Sequence, residues 1–458
     1  MFDITDLFQA TQLSKQKSQI AKQLNVSVES LEAFEKAYSR LEESNNKKET
    51  VQMTKNNPST PDDLVKRIVN ELVQGCKIVK CKDEKITERT IERDNIRLVT
   101  LDEINSLPKE IRPELTGQYM KRDVDVPAYI QLMDHLITIE KEKNPEKRKM
   151  HYDIFRQGLD ILDLDTITYK MLDCNKNSMG YWLPRIADAV KKEGFFRIPD
   201  TVIAKVPLPM LQLTRLEYST HTRTTLNIVN QWAQQVFELS ENKKYFIKTG
   251  TYSSKFDFRN AKVTDSEEIK EIGEYLLYIH TDALRMAHYD LQGRRPIMYG
   301  ISTTNEWVVR DFIEDEDNAF CIYHGLPLHT EYRVFVDFDN KEVLGIHSYW
   351  DSEVMKNRFD NYSDNISPDM LHDSVTYRAQ EPILMKKYNA SKDIVADHIK
   401  KILLHCTEMT GQWSIDIMLN GNTFWLIDMA VAENSAYYEY VPKQKRHRMK
   451  ESWIPLLK

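Results

Sequence analysis

The chain has 458 residues, 41% of them hydrophobic, with 22 tyrosines and 7 tryptophans; this predicts about two or three domains and excludes a disordered protein. A net charge of −7 argues against a general nucleic-acid coat. No apolar run reaches the ~18 residues of a membrane helix, the start MFDITDLFQATQLSKQ lacks the regions of a signal peptide, and five scattered cysteines (Cys76, Cys81, Cys174, Cys321, Cys406) read as free thiols of a reducing cytosol.

Residues 1–43 predict a helical element in which Leu31, Phe34, Tyr38 and Leu41 share one face behind an N-cap at Ser27 or Ser30. That face needs a partner, either the main body or another chain. The polar stretch 44–62, SNNKKETVQMTKNNPSTPD, reads as a linker. Residues 63–165 form a mixed N-terminal region, with helical stretches at 63–72 and 128–141 and short apolar runs such as 96–101. Over 166–243, helical and β-rich segments alternate: YWLPRIADAVKKEG, RIPDTVIAKV, then a long helix near 224–239. Such alternation predicts a leading α/β domain. Over 244–458 strands dominate, as YFIKT, EWVVRDFI, EYRVFVDF, VLGIHSYW and a final hairpin, WSIDIMLNGNTFWLIDMA. The basic run 443–450, KQKRHRMK, is either a solvated segment or a phosphate-contacting patch.

The final hairpin keeps one aspartate in each apolar strand, Asp416 and Asp428. An unpaired carboxylate in a dry strand costs several kcal/mol, so each must meet a cation, a set of donors or water. Parity decides whether the two can cooperate. A two-residue loop at Asn420-Gly421 puts them on opposite faces of the ladder; a three-residue loop, Asn420-Gly421-Asn422, puts them on one face as diagonal neighbours roughly 7–8 Å apart. Carboxylates at that spacing can converge on a hard cation. The odd register also requires Ile415, Ile417, Trp425 and Ile427 to face the opposite layer.

A cation between carboxylates in a strand-rich site calls for a phosphate ligand. In YFIKTGTYSSKFDF, Lys248 ends an apolar strand, where it has to meet an anion, and small residues lead to Lys255. The pattern is not a Walker A loop. In LHTEYRVFVDFD, Glu331 and Arg333 project from one face of a strand; each alone would serve equally as a surface ion pair.

In sequence order these pieces are strand-lysine, small-residue turn, lysine, the strand EWVVRDFI, a Glu-x-Arg strand and an Asp…Asp hairpin. That order resembles the ATP-grasp superfamily over about residues 170–440, including divergent branches such as the eukaryotic cell-division-cycle assembly factors. The resemblance implies a two-lobed α/β (α+β) ATP-grasp fold with a helical N-terminal extension, binding ATP and Mg²⁺. It implies that Lys248 and Lys255 hold phosphate. Arg310, Phe312 and Ile313, with Glu314, would form a hinge whose backbone reads adenine. Glu331 would accept from ribose, Arg333 would contact the triphosphate, and Asp416 and Asp428 would ligate metal. The last strand departs from the family's Glu/Asp-x-Asn: here it reads Asp428-Met429-Ala430, which leaves a second metal to Glu433 or Asn434.

The activity implied by the resemblance is that of a cytoplasmic ATP-dependent ligase. It would phosphorylate a carboxylate for attack by an amine, with Lys248 and Arg333 as catalytic cations and both substrates unknown. Two other classes stay open. One is a nucleotidyl-transferring RNA ligase with Lys248 as nucleophile, favoured by the basic run but disfavoured by overall charge and by KTGT in place of KxDG. The other is an assembly factor that binds ATP without turning it over, to which the large N-terminal region is suited. No membrane partner is expected.

Overall fold

The computed structural model describes residues 60–115, 138, 141–161, 169, 172–173, 175–214, 216–290, 304–360 and 367–447. The helical element expected over 1–43, most of the 44–62 linker and most of the 128–141 helix lie outside these. The chain divides into two compact units, Thr60–Arg122 with Thr168–Pro455, and Met1–Ser59 with Asp123–Ile167 and Leu456–Lys458.

The first unit opens with helix α1 (Pro61–Val73), started by a Thr60 hydroxyl that accepts from the Asp63 amide and by proline at its first position. Strands β1 (Lys77–Lys82) and β2 (Lys85–Thr90) follow, then a short helix α2 (Leu101–Asn105). The β1–β2 turn places Asp83 and Glu84 at φ 49° and 55°, the two positive values of a type I′ hairpin without its usual glycine. This hairpin lies in the 63–165 stretch that the sequence sets apart, yet β1 pairs with a strand beyond residue 200. In the second unit, helix α3 (Pro145–Ile161) is described.

Helix α4 (Met179–Glu193) is stopped by Gly194, and β3 (Phe196–Arg197), β4 (Thr201–Lys205) and α5 (Leu208–Leu213) follow. Helix α6 (Arg223–Phe237) buries Thr225, Ile228, Val229, Trp232, Ala233, Val236 and Phe237, the stripe of a one-sided helix. Next come β5 (Tyr245–Thr249), β6 (Lys262–Val263), α7 (Ser266–Lys270), α8 (Ile272–Asp290), β7 (Glu306–Asp311), β8 (Cys321–Ile322), β9 (Leu326–Pro327), β10 (Thr330–Asp337) and β11 (Glu342–Ser348). Helices α9 (Ser352–Asp360) and α10 (Pro368–His405) precede β12 (Gln412–Asn420) and β13 (Thr423–Val431).

Two sheets result. The larger has the order β2-β1-β4-β7-β5-β6, with every neighbour antiparallel. The smaller has the order β11-β10-β12-β13-β3, antiparallel except for the β13–β3 pair. Helices α1, α6 and α8 cover one face of the larger sheet over Ala204, Ile247, Trp307 and Val309. Helices α4 and α10 pack with Ile203 and Val308 of its other face and with Val334, Ile415, Ile417, Leu426 and Met429 of the smaller sheet. The architecture is mixed α and β, as expected, with one parallel pairing, β13–β3, among otherwise antiparallel ladders.

Helix α10 is a helix that the strand-dominated reading of 244–458 does not anticipate. Its buried residues, Asp373, Tyr377, Leu384, Tyr388, Val395, Ile399, Ile402 and Leu403, step mostly by 4 and 7. That is a thin seam, and Leu371, Val375, Ile383 and Leu404 stay exposed, so the one-sided periodicity is diluted. Among the described residues no helix is long and apolar enough to cross a membrane, and Cys76, Cys81, Cys321 and Cys406 are free thiols.

Candidate functional site

The two sheets flank a cleft with an empty volume of about 950 Å³, open to solvent. On the larger sheet, Tyr245, Ile247, Trp307 and Val309 enter the helix-covered core. The alternation therefore turns Phe246, Lys248 and Arg310 to the cleft. Lys248 is 1% exposed and donates to Asp428 Oδ2 at 2.8 Å. Arg310, 4% exposed, donates through Nε to Thr201 Oγ1 at 3.1 Å and through Nη1 to the Ile427 carbonyl at 2.6 Å. Its buried Nη2 has no partner. Burial pushes this guanidinium down to about 10, against the pull of Asp428.

The smaller sheet supplies the acids. Arg333 on β10 opposes Asp416 on β12 and holds it in a two-pronged pair, Nε to Oδ1 at 2.8 Å and Nη2 to Oδ2 at 2.7 Å. Tyr349 lies under the Arg333 guanidinium at 4.7 Å and under the Lys255 ammonium at 4.0 Å. Lys255 follows Ser254, held at φ 48°. Burial pushes Lys255 down to about 8, opposed by Glu331. Burial pushes Glu331 up to about 7, opposed by Lys255. Four cations, Lys248, Lys255, Arg310 and Arg333, stand among Glu331, Asp416 and Asp428; a fourth carboxylate on the lining, Asp311, pairs with Lys243 at 2.7 Å.

The hairpin reaches the same-face arrangement by another route than the expected one. Its loop is not Asn420-Gly421-Asn422. Asn420 pairs with Thr423 across a two-residue turn, Gly421-Asn422, and Gly421 has φ +57°, the sign a type II′ turn needs at its first central position. The register it starts would aim the two aspartates to opposite faces. A β-bulge then intervenes: Ile417 opposes Leu426, Asp416 opposes Asp428, and Ile427 is the extra residue. The aspartates are therefore direct partners, not diagonal ones. The expected inward set is also corrected. Ile415 and Ile417 are core, but Trp425 and Ile427 are not; Leu426 and Met429 take their place, and Ile427 lines the cleft. A pattern of alternating letters has no way to register one inserted residue.

Beyond β7, Phe312 and Ile313 line an apolar end of the cleft with Leu326, Pro327, Met418 and Ile427. Glu314 is not brought there: its side chain is 63% exposed and paired with Lys244 at 2.6 Å. Its carbonyl accepts from Asn420 Nδ2 at 2.7 Å, while Asn420 Oδ1 accepts from the Glu316 amide at 2.9 Å. A side chain on Gly421 would collide with that of Glu316. His329, buried on the cleft wall with Nδ1 3.8 Å from Asp317 Oδ2, is absent from the sequence reading. Its signal was available: His329 immediately precedes β10, two residues before Glu331. Of the basic run, Lys445 pairs with Glu342 and Arg446 donates to the carbonyls of Val441 and Glu439, so its first half serves local contacts.

The donor set fits a Mg²⁺–triphosphate in part. Two opposed carboxylates are hard oxygen ligands of the number Mg²⁺ takes when phosphates complete its shell. Among the described residues no cluster of three or more His, Cys, Asp or Glu could hold a metal alone. Ala430 occupies the position two past Asp428, opposite Ser414. Asn434 sits in a 3₁₀ turn, accepting from Asn177 Nδ2 at 3.1 Å. The arrangement suits one metal better than two.

No family model and no curated protein matches the chain. Among solved structures the chain is similar to C-terminally truncated Cdc123 from Schizosaccharomyces pombe, with TM-score 0.34 and 13% identity over 60% of this chain and 92% of that one. It is likewise similar to Cdc123 from the same organism, with TM-score 0.34 and 13% identity over 59% and 93%.

Proposed function

We propose that the cleft binds ATP with one Mg²⁺, and that the nucleotide serves as a bound structural element around which a protein partner is assembled. The observation that carries this reading is the convergence of Lys248, Lys255, Arg310 and Arg333 on Asp416, Asp428 and Glu331 beside an apolar end lined by Phe312, Ile313 and Met418. Apolar walls suit a base, and the charged array suits a metal-bound triphosphate. With phosphate bound, Lys248 would exchange Asp428 for a phosphate oxygen, which would free that carboxylate. Asp428 and Asp416 would then hold Mg²⁺, which neutralises phosphate charge. Arg333 keeps Asp416 oriented throughout, and the neutral form of Glu331 can donate as well as accept toward a hydroxyl.

Turnover is the second reading: phosphorylation of a carboxylate followed by attack of an amine. Its support is the half-buried Lys255 facing the buried Glu331, both moved toward neutrality at the charged end of the cleft. The absence of an amide ligand at Ala430 weighs toward one metal and toward binding. Nucleotidyl transfer is disfavoured, since Lys248 is ion-paired in a buried position and a lysine nucleophile must be neutral.

Titration calorimetry with ATP and Mg²⁺, paired with α- and γ-labelled ATP, separates the readings. Binding without product supports the assembly reading. ADP and phosphate establish turnover, and a labelled protein establishes nucleotidyl transfer. No ATP binding in the folded chain ends the proposal.

A further inference from the structure

A bulge is a local departure from a ladder, and something must favour it over the register the turn begins. Without it, Asp416 would oppose Ile427 and Asp428 would point into the core occupied by Leu426 and Met429. Core burial of Leu426 and Met429 is one constraint. The other comes from the opposite sheet. Ile427, the extra residue, has no partner in the register, and its carbonyl accepts from Arg310 Nη1 at 2.6 Å. Arg310 is itself fixed by Thr201 Oγ1 at 3.1 Å on the neighbouring strand, and Thr201, 1% exposed, is oriented by donating to the Pro199 carbonyl at 2.7 Å. A chain of hydrogen bonds, buried as far as Arg310 and part-buried at its end, therefore runs from the Pro199 carbonyl through Thr201 and Arg310 to the residue next to Asp428.

We infer that Arg310 is a positioning residue: by holding the Ile427 carbonyl it stabilises the bulge and so keeps Asp428 opposite Asp416, where the pair can share the divalent cation of a bound nucleotide. The cation is part of the function proposed above, and the inference rests on that reading for its purpose. The clamp itself can be tested without nucleotide.

The metal-free arm uses the full chain carrying D416C and D428C. Directly opposed strand positions lie within disulfide range. Mild oxidation should therefore cross-link the pair, as identified by peptide mass spectrometry. Adding Arg310→Met should abolish most of the cross-link, and guanidinium ion should restore part of it. Equal cross-linking with and without Arg310 overturns the clamp. Where Arg310→Met fails to fold, Thr201→Val loosens the same guanidinium and leaves its charge in place.

The metal arm measures Mn²⁺ by paramagnetic resonance in the presence of ATP. Arg310→Lys and Thr201→Val should each lower Mn²⁺ affinity by about ten- to a hundredfold, the cost typical of removing a group that orients a metal ligand. Metal-free ATP affinity should fall much less. An equal fall of both overturns the inference, because Arg310 would then be a direct phosphate cation.

Deleting Ile427 gives the sharpest test. The two-residue turn then continues unbroken, and Asp416 opposes Asp428 with no bulge to hold. In that background Arg310→Lys should lower Mn²⁺ affinity much less than it does in the full chain; the same loss as in the full chain overturns the clamp. Failure of wild type to bind Mn²⁺ with ATP would instead overturn the functional reading, leaving the cross-linking result to decide the clamp.

Discussion

The two walls of the cleft carry their charges by different means. On the larger sheet, Lys248 and Arg310 follow strict alternation along regular strands, and each points at the other sheet for a partner. On the smaller sheet, Arg333 and Asp416 satisfy each other across neighbouring strands, and Asp428 reaches its place only through a bulge. The cation wall is thus preset by its own ladder but electrically incomplete. The acid wall is half self-contained and half dependent on its neighbour. The difference teaches that two directly opposed aspartates can have unlike duties: Asp416 closes an internal pair, while Asp428, whose side chain is 36% exposed, is the exchangeable one.

The largest effect should come from breaking the self-contained pair. Asp416→Ala leaves Arg333 buried without a counter-charge and should cost about 3–5 kcal/mol of stability, read by urea unfolding. Replacing both partners with apolar residues should recover most of it. Equal losses for Asp416→Ala and Asp428→Ala would erase the distinction between the two aspartates.

Next in size is the cation wall. Lys248→Met should keep the fold and weaken ATP by about 1.5–3 kcal/mol, a charge-assisted contact. Calorimetry on the folded variant checks this, and unchanged affinity removes Lys248 from the site.

A smaller effect concerns pH. Glu331 is raised from the usual 4.5 to about 7, so its contribution favours the fold at low pH and is lost as pH rises from 4.5 through 7. Lys255 is lowered from 10.5 to about 8, so its contribution favours the fold at high pH and is lost as pH falls from 10.5 through 8. Together they place a dip in stability between 7 and 8. Glu331→Gln should remove the low-pH limb of that dip, as followed by Tm across the range. An unchanged profile would mean that Glu331 is not buried as a carboxyl.

The smallest effect is expected outside the cleft. Glu314→Gln breaks an exposed pair with Lys244 and should change stability by less than about 0.5 kcal/mol, leaving ATP affinity as it was. A clear loss of affinity would return Glu314 to the nucleotide.

What could be read from sequence follows the same division. Lys248, Glu331 and Arg333 were legible because strand alternation is a local property, and a cation or acid inside an apolar run stands out. That the two aspartates should share a face was legible from the demand that each find a partner. How they do so was not: the bulge at Ile427 is a count of one, and the residue inserted is as apolar as its neighbours. The Thr201–Arg310–Ile427 chain joins three segments far apart in sequence, and nothing local marks it. Phe312 and Ile313 line the cleft while the Glu314 side chain turns outward to Lys244, a difference that the letters of the segment after β7 do not mark. The 1–43 element lies outside the described residues.

The side chain of Asn420, 1% exposed, bridges the carbonyl of Glu314 and the amide of Glu316. This bolts the tip of one sheet to the strand exit of the other. At the other end of the cleft, Lys255 lies over the Tyr349 ring at 4.0 Å, and between the two ends Lys248 and Arg310 join the sheets through Asp428 and the Ile427 carbonyl. The wall around Ile313 is thus tied by hydrogen bonds that an incoming anion has no reason to displace, whereas the Lys248–Asp428 contact is one for which an anion would compete.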